Sequence, residues 1–358
     1  MKIAFFNYLK LENGGGAERF ISNASTGLKK RYPELKISVI TYESVNNISQ
    51  LKNTLKEYDV VYSRHDLREA IILKFLIRYK NLKKVIFGFH TSIYFGLPKN
   101  WLFPLLKFLY GFLNYKFLLN KAVRFHVVNS FAEIELKRIF KDKDIRKIYN
   151  PFDFEIYEKQ SSLASFWQAE GASRISKKLI DSGQARVTRL LWVGRLIREK
   201  GADDLIKLIR DINSTKEAEK IIWMIAGVGK LENEIKILTR EFDNVKYLGY
   251  LNNQNLAQIY KQNDLFLSTS RWESFPYTFL EAQTFGLPII AFDVHGCNEI
   301  VKNGVNGYLV NSIDKYKDKI LYLVRNQNIV IKKKYIKKFI RKLVNIEEIY
   351  KKLYELLQ

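Results

Sequence analysis

The sequence predicts an α/β protein with two doubly wound, mainly parallel sheets, one in each half of the chain. Three observations predict this fold class. The length of 358 residues suggests two domains rather than one. Short β-rich runs alternate with helical patterns in both halves, which is typical of parallel sheets that helices cover on both faces. A polar stretch rich in Ser and Gln, from Glu158 to about Arg186, separates the two series.

The first half begins with an apolar run, Lys2–Asn7, that predicts a short buried strand. A glycine turn follows, and then a helical pattern from Ala17 to about Lys30. The remaining β-rich runs of this half are Ile37–Thr41, Val60–Tyr62, Val85–Phe89 and Phe125–Asn129. We therefore assign residues 1–157 to an N-terminal domain and residues 158–187 to a linker or irregular insertion.

The second half repeats the alternation. Its β-rich runs are Leu190–Val193, Ile221–Ala226, Val245–Leu248, Leu265–Ser268 and Pro288–Phe292. Helical patterns such as Ala202–Ile212 and Leu256–Gln262 lie between them. We assign residues 188–340 to a second domain. Residues 341–358 predict an amphipathic C-terminal helix, for which packing back on the N-terminal domain is one option.

The charge of the chain predicts anionic partners. Sixty Lys and Arg residues stand against 37 acids, a formal net charge of +23. Nucleotide phosphates, a membrane surface and nucleic acid all remain open on this ground. The single cysteine, Cys297, excludes an internal disulfide and a CxxC metal site and fits a reducing compartment. The apolar start after Lys2 is too short for the core of a signal peptide. The sequence has no uncharged stretch of about 18 residues, so a membrane-spanning helix is not expected.

Two segments raise the question of membrane contact. Between Glu69 and Glu133 there is no acid, while ten basic and fifteen aromatic residues occur. A helix at residues 101–119, the centre of this window, is read either as an interfacial helix on an anionic leaflet or as a helix buried between core layers; the missing acids favour the membrane slightly. The basic run Lys332–Lys342 is more typical of a solvated face than of a membrane contact.

A glycine-rich turn between the first strand and the first helix is the first motif that indicates ligand binding. Gly15 and Gly16 belong to it. Glycines allow a ligand to approach the backbone, and the N-terminus of the helix offers free N–H groups to an anion. The spelling is neither GxGxxG nor a Walker loop, so it predicts no dinucleotide or ATPase site, and a simple tight turn is the alternative.

The second motif is basic and follows the first strand of the second half. Arg195 and Lys200 stand beyond the carboxyl end of that strand, where open α/β sheets bind their ligands. A guanidinium group can bind phosphate oxygens in pairs, and an ammonium group adds a compact charge. Two solvated surface side chains are the alternative.

The third motif carries two carboxylates, Glu273 and Glu281. Pro276 suits the first turn of a helix, and Phe275 before it is disfavoured in helical geometry. Glu273 is therefore expected in a loop and Glu281 inside the helix, where the two can reach different ends of one ligand. Carboxylates accept hydrogen bonds from the vicinal hydroxyl groups of ribose or a hexose. Two acids on a solvated helix end are the alternative.

Together these stretches resemble glycosyltransferase family 4. Residues 193–201, 247–251 and 268–310 are similar to the family's donor half, with an E-x7-E pattern at Glu273 and Glu281, and residues 14–19, 126–135 and 150–153 match weaker landmarks. The resemblance implies the GT-B fold, in which two Rossmann-like domains face each other across a cleft. It implies a retaining transferase of the hexosyltransferase type that uses a UDP- or GDP-linked sugar as substrate and needs no cofactor.

The family's site residues are carried over by position. The resemblance implies that Arg195 and Lys200 bind the donor diphosphate, that Glu281 holds the ribose and that Glu273 faces the transferred sugar. It places Gly15, Gly16, Ser274 and Phe275 at the donor and His90 at the active site. The catalytic set is thus His90, Glu273, Arg195 and Lys200. His65, His126 and His295 are expected to be structural. The chain departs from the family where Ser274-Phe275-Pro276 replaces the common GFG.

No metal site is expected. Asp142-Lys143-Asp144 spells a DxD, but it lies in a lysine-rich stretch that predicts a solvated turn, and Arg195 and Lys200 offer the same electrostatic stabilisation.

We expect transfer to a glycan or lipid-linked acceptor in cell-surface glycan biosynthesis, on the cytoplasmic side and peripheral on the inner face of the cell membrane. A nucleotide-sugar epimerase or a phosphorylase of the same fold is the second reading. A basic nucleic-acid-binding protein is the third, although no helix-turn-helix, RRM or zinc signature supports it.

Overall fold

The computed structural model describes most of the chain as two compact units. Unit 1 comprises Met1–Phe152 together with Val344–Gln358, and unit 2 comprises Asp153–Leu343. The described residues are 1–8, 15–45, 47–64, 69–70, 72–73, 82–90, 104–106, 109, 124–163, 187–326 and 331–358.

Unit 1 is built on a six-stranded sheet in which all neighbouring strands are parallel. Its strands are β1 (Lys2–Asn7), β2 (Lys36–Thr41), β3 (Val60–Arg64), β4 (Val85–Phe89), β5 (Arg124–Val127) and β6 (Asp144–Lys147), in the order β2-β1-β3-β4-β5-β6. The inner strands are largely buried because helices cover both faces of a parallel sheet. The helices α1 (Gly16–Arg31), α2 (Ile48–Lys56) and α3 (Ser130–Ile139) belong to this unit.

Unit 2 carries the second parallel sheet. Its strands are β7 (Thr188–Val193), β8 (Ile221–Ala226), β9 (Val245–Tyr247), β10 (Leu265–Ser268), β11 (Ile289–Phe292) and β12 (Gly307–Val310), in the order β12-β11-β10-β7-β8-β9. Its helices are α4 (Phe154–Leu163), α5 (Ala202–Asn213), α6 (Glu232–Glu241), α7 (Asn253–Gln262), α8 (Tyr277–Thr284), α9 (Cys297–Ile300), α10 (Ile313–Arg325) and α11 (Lys333–Leu343). Every residue of β8 is buried.

The predicted fold class is confirmed: both halves are doubly wound α/β sheets. Two strands, β6 and β12, were missed by the sequence analysis. Three of the four residues of β6 are charged, and β12 is only four residues long and begins with a glycine, so neither gives a clear strand pattern. The stretch expected to be a linker from residue 158 begins inside α4, which contacts α7 and α8. Residues 164–186 lie outside the described residues.

The C-terminal helix α12 (Ile346–Leu357) belongs to unit 1 and contacts α1. Tyr350 donates its hydroxyl proton to the Asn23 carbonyl oxygen at 2.9 Å, and a Cβ built on Gly27 would overlap the Tyr350 ring. The absence of a side chain at Gly27 is therefore what allows the two helices to approach so closely. Within the described ranges, no helix has both the length and the apolar character that a membrane span requires.

Candidate functional site

In unit 2 the strand order reverses between β7 and β10. From β7 the sheet continues to β8 and β9, and from β10 it continues to β11 and β12 on the other side. The connections that leave two such neighbours run in opposite directions and open a crevice at the carboxyl ends of the strands. The basic motif follows β7 and the acidic motif follows β10, so the topology brings both motifs to one edge of one sheet.

The loop after β7 is held by the loop after β8. Leu196 donates its backbone N–H to the Val228 carbonyl at 2.9 Å, and Gly194 donates to the Ala226 carbonyl at 3.1 Å. Gly227 has a φ of +133°, and a Cβ at this position would overlap the Gly194 carbonyl oxygen. The exposed Arg195 side chain therefore projects from a backbone that is fixed on both sides of it.

The Lys200 turn, residues 198–201, is fixed by the first residue after β10. Thr269 donates its hydroxyl proton to the Gly201 carbonyl at 2.7 Å and accepts a hydrogen bond from Trp192 Nε1 at 3.0 Å. Gly201 has a φ of +67°, and a Cβ there would overlap the Thr269 carbonyl oxygen. Only glycine satisfies both the backbone angle and this close approach.

Lys200 and Glu273 are in contact. Lys200 Nζ lies 2.6 Å from Glu273 Oε1, and the two side chains are 27% and 11% exposed. Glu273 stands in the loop before α8, as the sequence predicts. The structure thus joins one residue of the basic motif to one residue of the acidic motif through a partly buried ion pair, at the edge where a ligand of this sheet is expected.

Arg271 ties the acidic loop to the Lys200 turn, and sequence reasoning missed it. Its guanidinium group donates to the Arg198 carbonyl at 2.6 Å and to carboxylate oxygens of Asp203 and Asp204 at 2.9 and 2.8 Å. The hydrogen bond with Asp203 raises the pKa of Arg271 above its ordinary value. Two acids at the start of a helix are so common that they did not indicate a distant partner.

Glu281 is placed differently from Glu273. Its side chain is buried in α8, and Tyr260 of α7 donates a hydrogen bond to Glu281 Oε2 at 2.9 Å. The helix begins at Tyr277, with Pro276 as its N-cap rather than in its first turn, because Pro276 has an extended ψ of 122°. Tyr260, which orients the carboxylate, carries no motif that the sequence analysis recognised.

The acidic loop also packs tightly against the turn before α9. Gly296 has a φ of +83°, and a Cβ there would overlap the carbonyl groups of Glu273 and Ser274. The structure buries both Ser274 and Phe275. Burial raises the pKa of the Cys297 thiol well above its ordinary value, and the negative charge of Glu273 raises it further. The close packing therefore fixes the backbone that carries Glu273.

Unit 1 has its own reversal of strand order, between β1 and β3. Gly15, at the start of α1, donates its N–H to Glu18 Oε2 at 2.8 Å, and both Gly15 and Gly16 are exposed. Arg64, at the end of β3, contacts the buried carboxylates of Glu18 and Glu69. Arg64 and Glu69 were not predicted, since neither belongs to a recognisable motif.

His90 follows β4 and lies in a cluster of aromatic rings. Tyr62 Oη is 3.2 Å from His90 Nε2 and 2.7 Å from His126 Nδ1. Burial lowers the pKa of His90 well below its ordinary value, and the nearby His126 and Arg64 lower it further. Burial also lowers the pKa of His126 to about 4. His126 thus contacts a neighbour of His90, while His65 lies outside the described residues.

The DxD spelling lies in a solvated turn as expected, with Asp142 exposed in the turn and Asp144 exposed at its end. Asp144 is the first residue of β6, and its carboxylate lies 3.2 Å from Arg124 Nε and 3.0 Å from Arg146 Nη2. The strand went unrecognised because its four residues, three of them charged, show no apolar pattern. Asp144 therefore serves as the partner of two arginines.

Comparison with known proteins gives three findings. Residues 182–343 match the family model described as glycosyl transferases group 1. An uncharacterized glycosyltransferase of Methanocaldococcus jannaschii is 27% identical in an alignment of 355 positions that covers 91% of this chain and 83% of that protein. The UDP-Gal:alpha-D-GlcNAc-diphosphoundecaprenol alpha-1,3-galactosyltransferase of Escherichia coli is 25% identical in an alignment of 294 positions that covers 79% of this chain and 71% of that enzyme.

A solved structure supports the fold along the whole chain. The crystal structure of Anabaena HepE in complex with UDP and glucose superposes with a TM-score of 0.70 at 18% sequence identity. The superposition covers 100% of this chain and 99% of HepE.

Proposed function

Because the chain is a glycosyltransferase with the GT-B fold, we propose that it transfers a sugar from a nucleoside diphosphate to a hydroxyl group of a glycan or lipid-linked acceptor. We further propose retention at the anomeric carbon, membership in glycosyltransferase family 4 and a role in cell-surface glycan biosynthesis. The observation that carries the proposal is the contact of Lys200 with Glu273, 2.6 Å apart, where the strand order of unit 2 reverses.

This arrangement suits a diphosphate leaving group. In the proposed reaction the bond between the anomeric carbon and the phosphate oxygen breaks, a bond to the acceptor oxygen forms, and the proton of the acceptor hydroxyl passes to the departing diphosphate. Negative charge then develops on the departing diphosphate, and fixed cations lower the free energy of that state. Arg195 and Lys200 supply two positive charges on a loop whose backbone is already held in place, so little reorganisation is needed.

The remaining residues receive roles on the same proposal. Glu281, oriented by Tyr260, binds the ribose hydroxyl groups of the donor, and Glu273 faces the transferred sugar. Ser274 and Phe275 contribute to the donor site, and Gly15, Gly16 and His90 keep the roles that the family resemblance implies. UDP is the preferred nucleotide, since the names of the E. coli relative and the HepE structure both include UDP. No cofactor is assigned.

We also propose peripheral contact with an anionic membrane surface, on the cytoplasmic side of the cell membrane. The E. coli relative is named for a diphosphoundecaprenol acceptor, and an acceptor of that kind is anchored in a lipid bilayer. Two exposed features of this chain support the proposal. Leu105 and Leu109 are 56% and 44% exposed. Along α11, Lys334, Lys338 and Lys342 form an exposed row of positive charge. The rest of the expected 101–119 helix lies outside the described residues.

The transfer is tested with labelled UDP- and GDP-sugars and a membrane extract as the source of acceptor. We expect the wild-type protein to transfer label to a lipid-extractable or polymeric product. Lys200→Ala should reduce kcat/KM by about a hundredfold or more, since a fixed charge at the leaving group is lost.

The matched control is Lys207→Ala, which removes an exposed lysine in the middle of α5. It should transfer at the wild-type rate. Wild-type transfer rates in Lys200→Ala would contradict the role given to Lys200. Conversion of the donor in the absence of acceptor, with an epimerised sugar or a sugar phosphate as product, would contradict the transferase proposal itself.

A further inference from the structure

We infer that Tyr62 and His126 are positioning residues that hold His90 as a neutral imidazole with its proton on Nε2 and its lone pair on Nδ1. The inference rests on the proposed function, in which His90 belongs to the site. A chain of hydrogen bonds joins His90, Tyr62 and His126 to a backbone carbonyl group, and the carbonyl group determines the direction of every bond in the chain.

The chain of hydrogen bonds ends at the backbone of unit 1. His126 Nε2 lies 2.8 Å from the Ile148 carbonyl oxygen, which can only accept, so Nε2 carries a proton. The side chain of His126 is fully buried, and its pKa of about 4 keeps the ring neutral at ordinary pH. A neutral imidazole has one N–H, so Nδ1 of His126 must be the acceptor.

The direction of the next two bonds follows from this. Tyr62 has a single hydroxyl proton, and it donates that proton to His126 Nδ1 at 2.7 Å. The Tyr62 oxygen therefore has only lone pairs to offer His90 Nε2 at 3.2 Å, and His90 must donate. His90 is thus fixed as the Nε2–H tautomer, which leaves Nδ1 as the one acceptor atom of its ring.

The charges around His90 keep it in the neutral form. Burial lowers its pKa first, followed by His126 of β5 and the positive charge of Arg64 at the end of β3, while the nearby Asn150 side chain raises the pKa. The carboxylates of Glu18 of α1 and of Glu69 both contact Arg64. Nδ1 of a neutral His90 is buried and has no hydrogen-bond partner among the described residues, so it is the atom that would accept a hydrogen bond from a sugar hydroxyl group, and the ring has no surplus proton to donate.

Packing holds the rings in this arrangement. Gly88 lies on β4, two residues before His90, and a Cβ there would overlap the Tyr62 hydroxyl group. The Phe20 ring of α1 lies 4.4 Å from the His90 ring between centroids, and the Phe5 ring lies 5.1 Å from that of Tyr62. The glycine on one side and the aromatic rings on the other leave the Tyr62 hydroxyl group little freedom to turn away.

The test combines a measurement of the His90 tautomer with the kinetics of sugar transfer. The ¹⁵N chemical shifts of the imidazole nitrogens, measured on the full chain at pH 7, distinguish a protonated ring nitrogen from an unprotonated one. We expect His90 of the wild type to show a protonated Nε2 and an unprotonated Nδ1. In Tyr62→Phe the fixed tautomer should be lost and kcat should fall about tenfold or more, while the UDP-induced thermal shift stays unchanged.

Two further variants separate positioning from simple destabilisation. His126→Asn keeps an acceptor oxygen near the position of Nδ1 and should retain the His90 tautomer and most of the activity, whereas His126→Leu should lose both. Tyr42→Phe removes the hydroxyl group of another partly buried tyrosine of unit 1 and should behave as the wild type.

A wild-type His90 with its proton on Nδ1, or Tyr62→Phe with wild-type kcat, would overturn the inference. The NMR measurement needs no substrate, so it determines the His90 tautomer even if the wild type transfers no sugar. Absence of sugar transfer by the wild type would contradict the proposed function alone.

Discussion

Individual side chains in this protein take their properties from neighbours far along the chain. His90 and His126 look alike in the sequence, yet both connect to Tyr62, which is 28 residues from one and 64 from the other. In the same way Glu281 is oriented by Tyr260, and Glu273 contacts Lys200 across 73 positions of sequence. What each group can do chemically is decided by these contacts.

The buried His126 predicts a loss of stability in mild acid. Its pKa is about 4 in the folded chain against an ordinary value of 6.5. Between these two values the unfolded chain binds a proton that the folded chain does not. The stability is therefore complete above pH 6.5 and is lost as the pH falls towards 4. At pH 5 the loss from this one group is about 2 kcal/mol.

Urea unfolding at pH 7.5 and at pH 5 measures this loss. His126→Asn, which has no imidazole at that position, should lose about 2 kcal/mol less than the wild type between the two pH values. Equal losses in the two proteins would show that His126 does not remain neutral in the folded chain.

At the scale of elements, the candidate site depends on loops that meet backbone to backbone. Gly201, Gly227 and Gly296 all have positive φ and would overlap a carbonyl group of a neighbouring loop if they carried a Cβ. The loops after β7, β8, β10 and β11 are joined in this way. Ion pairs such as that of Arg271 with Asp203 act on the same junction, but their exposure limits their contribution to stability.

Two glycines with nearly the same backbone angle allow a matched test of this junction. Gly201 has a φ of +67° and Gly249 a φ of +65°, but a Cβ added at Gly201 would meet Thr269, whereas one added at Gly249 would have no neighbouring atom within 4 Å. Gly249→Ala should cost only the backbone strain, about 1 kcal/mol. Gly201→Ala should cost more, because the new methyl group must displace Thr269 or the Lys200 turn.

Thermal unfolding measures the loss of stability, and kcat/KM for the donor measures the loss of activity. We expect Gly201→Ala to lower the unfolding temperature further than Gly249→Ala and to reduce kcat/KM at least tenfold, since Lys200 moves with its turn. The same kcat/KM in the two variants would mean that this turn does not position a catalytic residue.

At the scale of the whole molecule, the charge is the dominant feature. The chain has a net charge of +23, and the helix α11 has basic residues but no acidic ones. Lys337 and Arg341 of this helix are paired with Glu158, while Lys334, Lys338 and Lys342 are exposed one turn apart. Like charges at this spacing destabilise a helix slightly, and an anionic surface would relieve the repulsion.

This charge predicts salt-dependent binding to anionic vesicles. At low salt the protein should sediment with vesicles that contain phosphatidylglycerol and not with pure phosphatidylcholine, and about 0.5 M NaCl should release it, because salt screens such contacts. Replacing Lys334, Lys338 and Lys342 by Gln should weaken binding more than the same change at Lys207, Lys261 and Lys302, which are exposed elsewhere on unit 2. If the protein does not sediment with anionic vesicles at low salt, the proposed membrane contact is excluded.

The strands and site residues that could be predicted are those whose pattern lies in neighbouring residues of the sequence. The inner strands were predicted because burial on both faces demands continuous apolar runs, as in β4 and β8. The strands β6 and β12 were missed because three of the four residues of β6 are charged and β12 is a four-residue strand that begins with a glycine. Lys200 and Glu273 were singled out from motifs at the strand ends and from the family resemblance, whereas Arg271, Tyr62 and Tyr260 were not, since each acts through a partner that local patterns do not reveal.

The amino-acid order by itself therefore determined the α/β class, the alternation of elements, the excess of positive charge and the motifs at the strand ends, since each of these is written in neighbouring residues. Only the folded chain decided which carboxylate meets Lys200, which is buried against a tyrosine and which histidine nitrogen carries a proton. The reason is physical: hydrogen bonds and ion pairs act over about 3 Å, and the groups that they join are brought within that distance only when the sheets have formed.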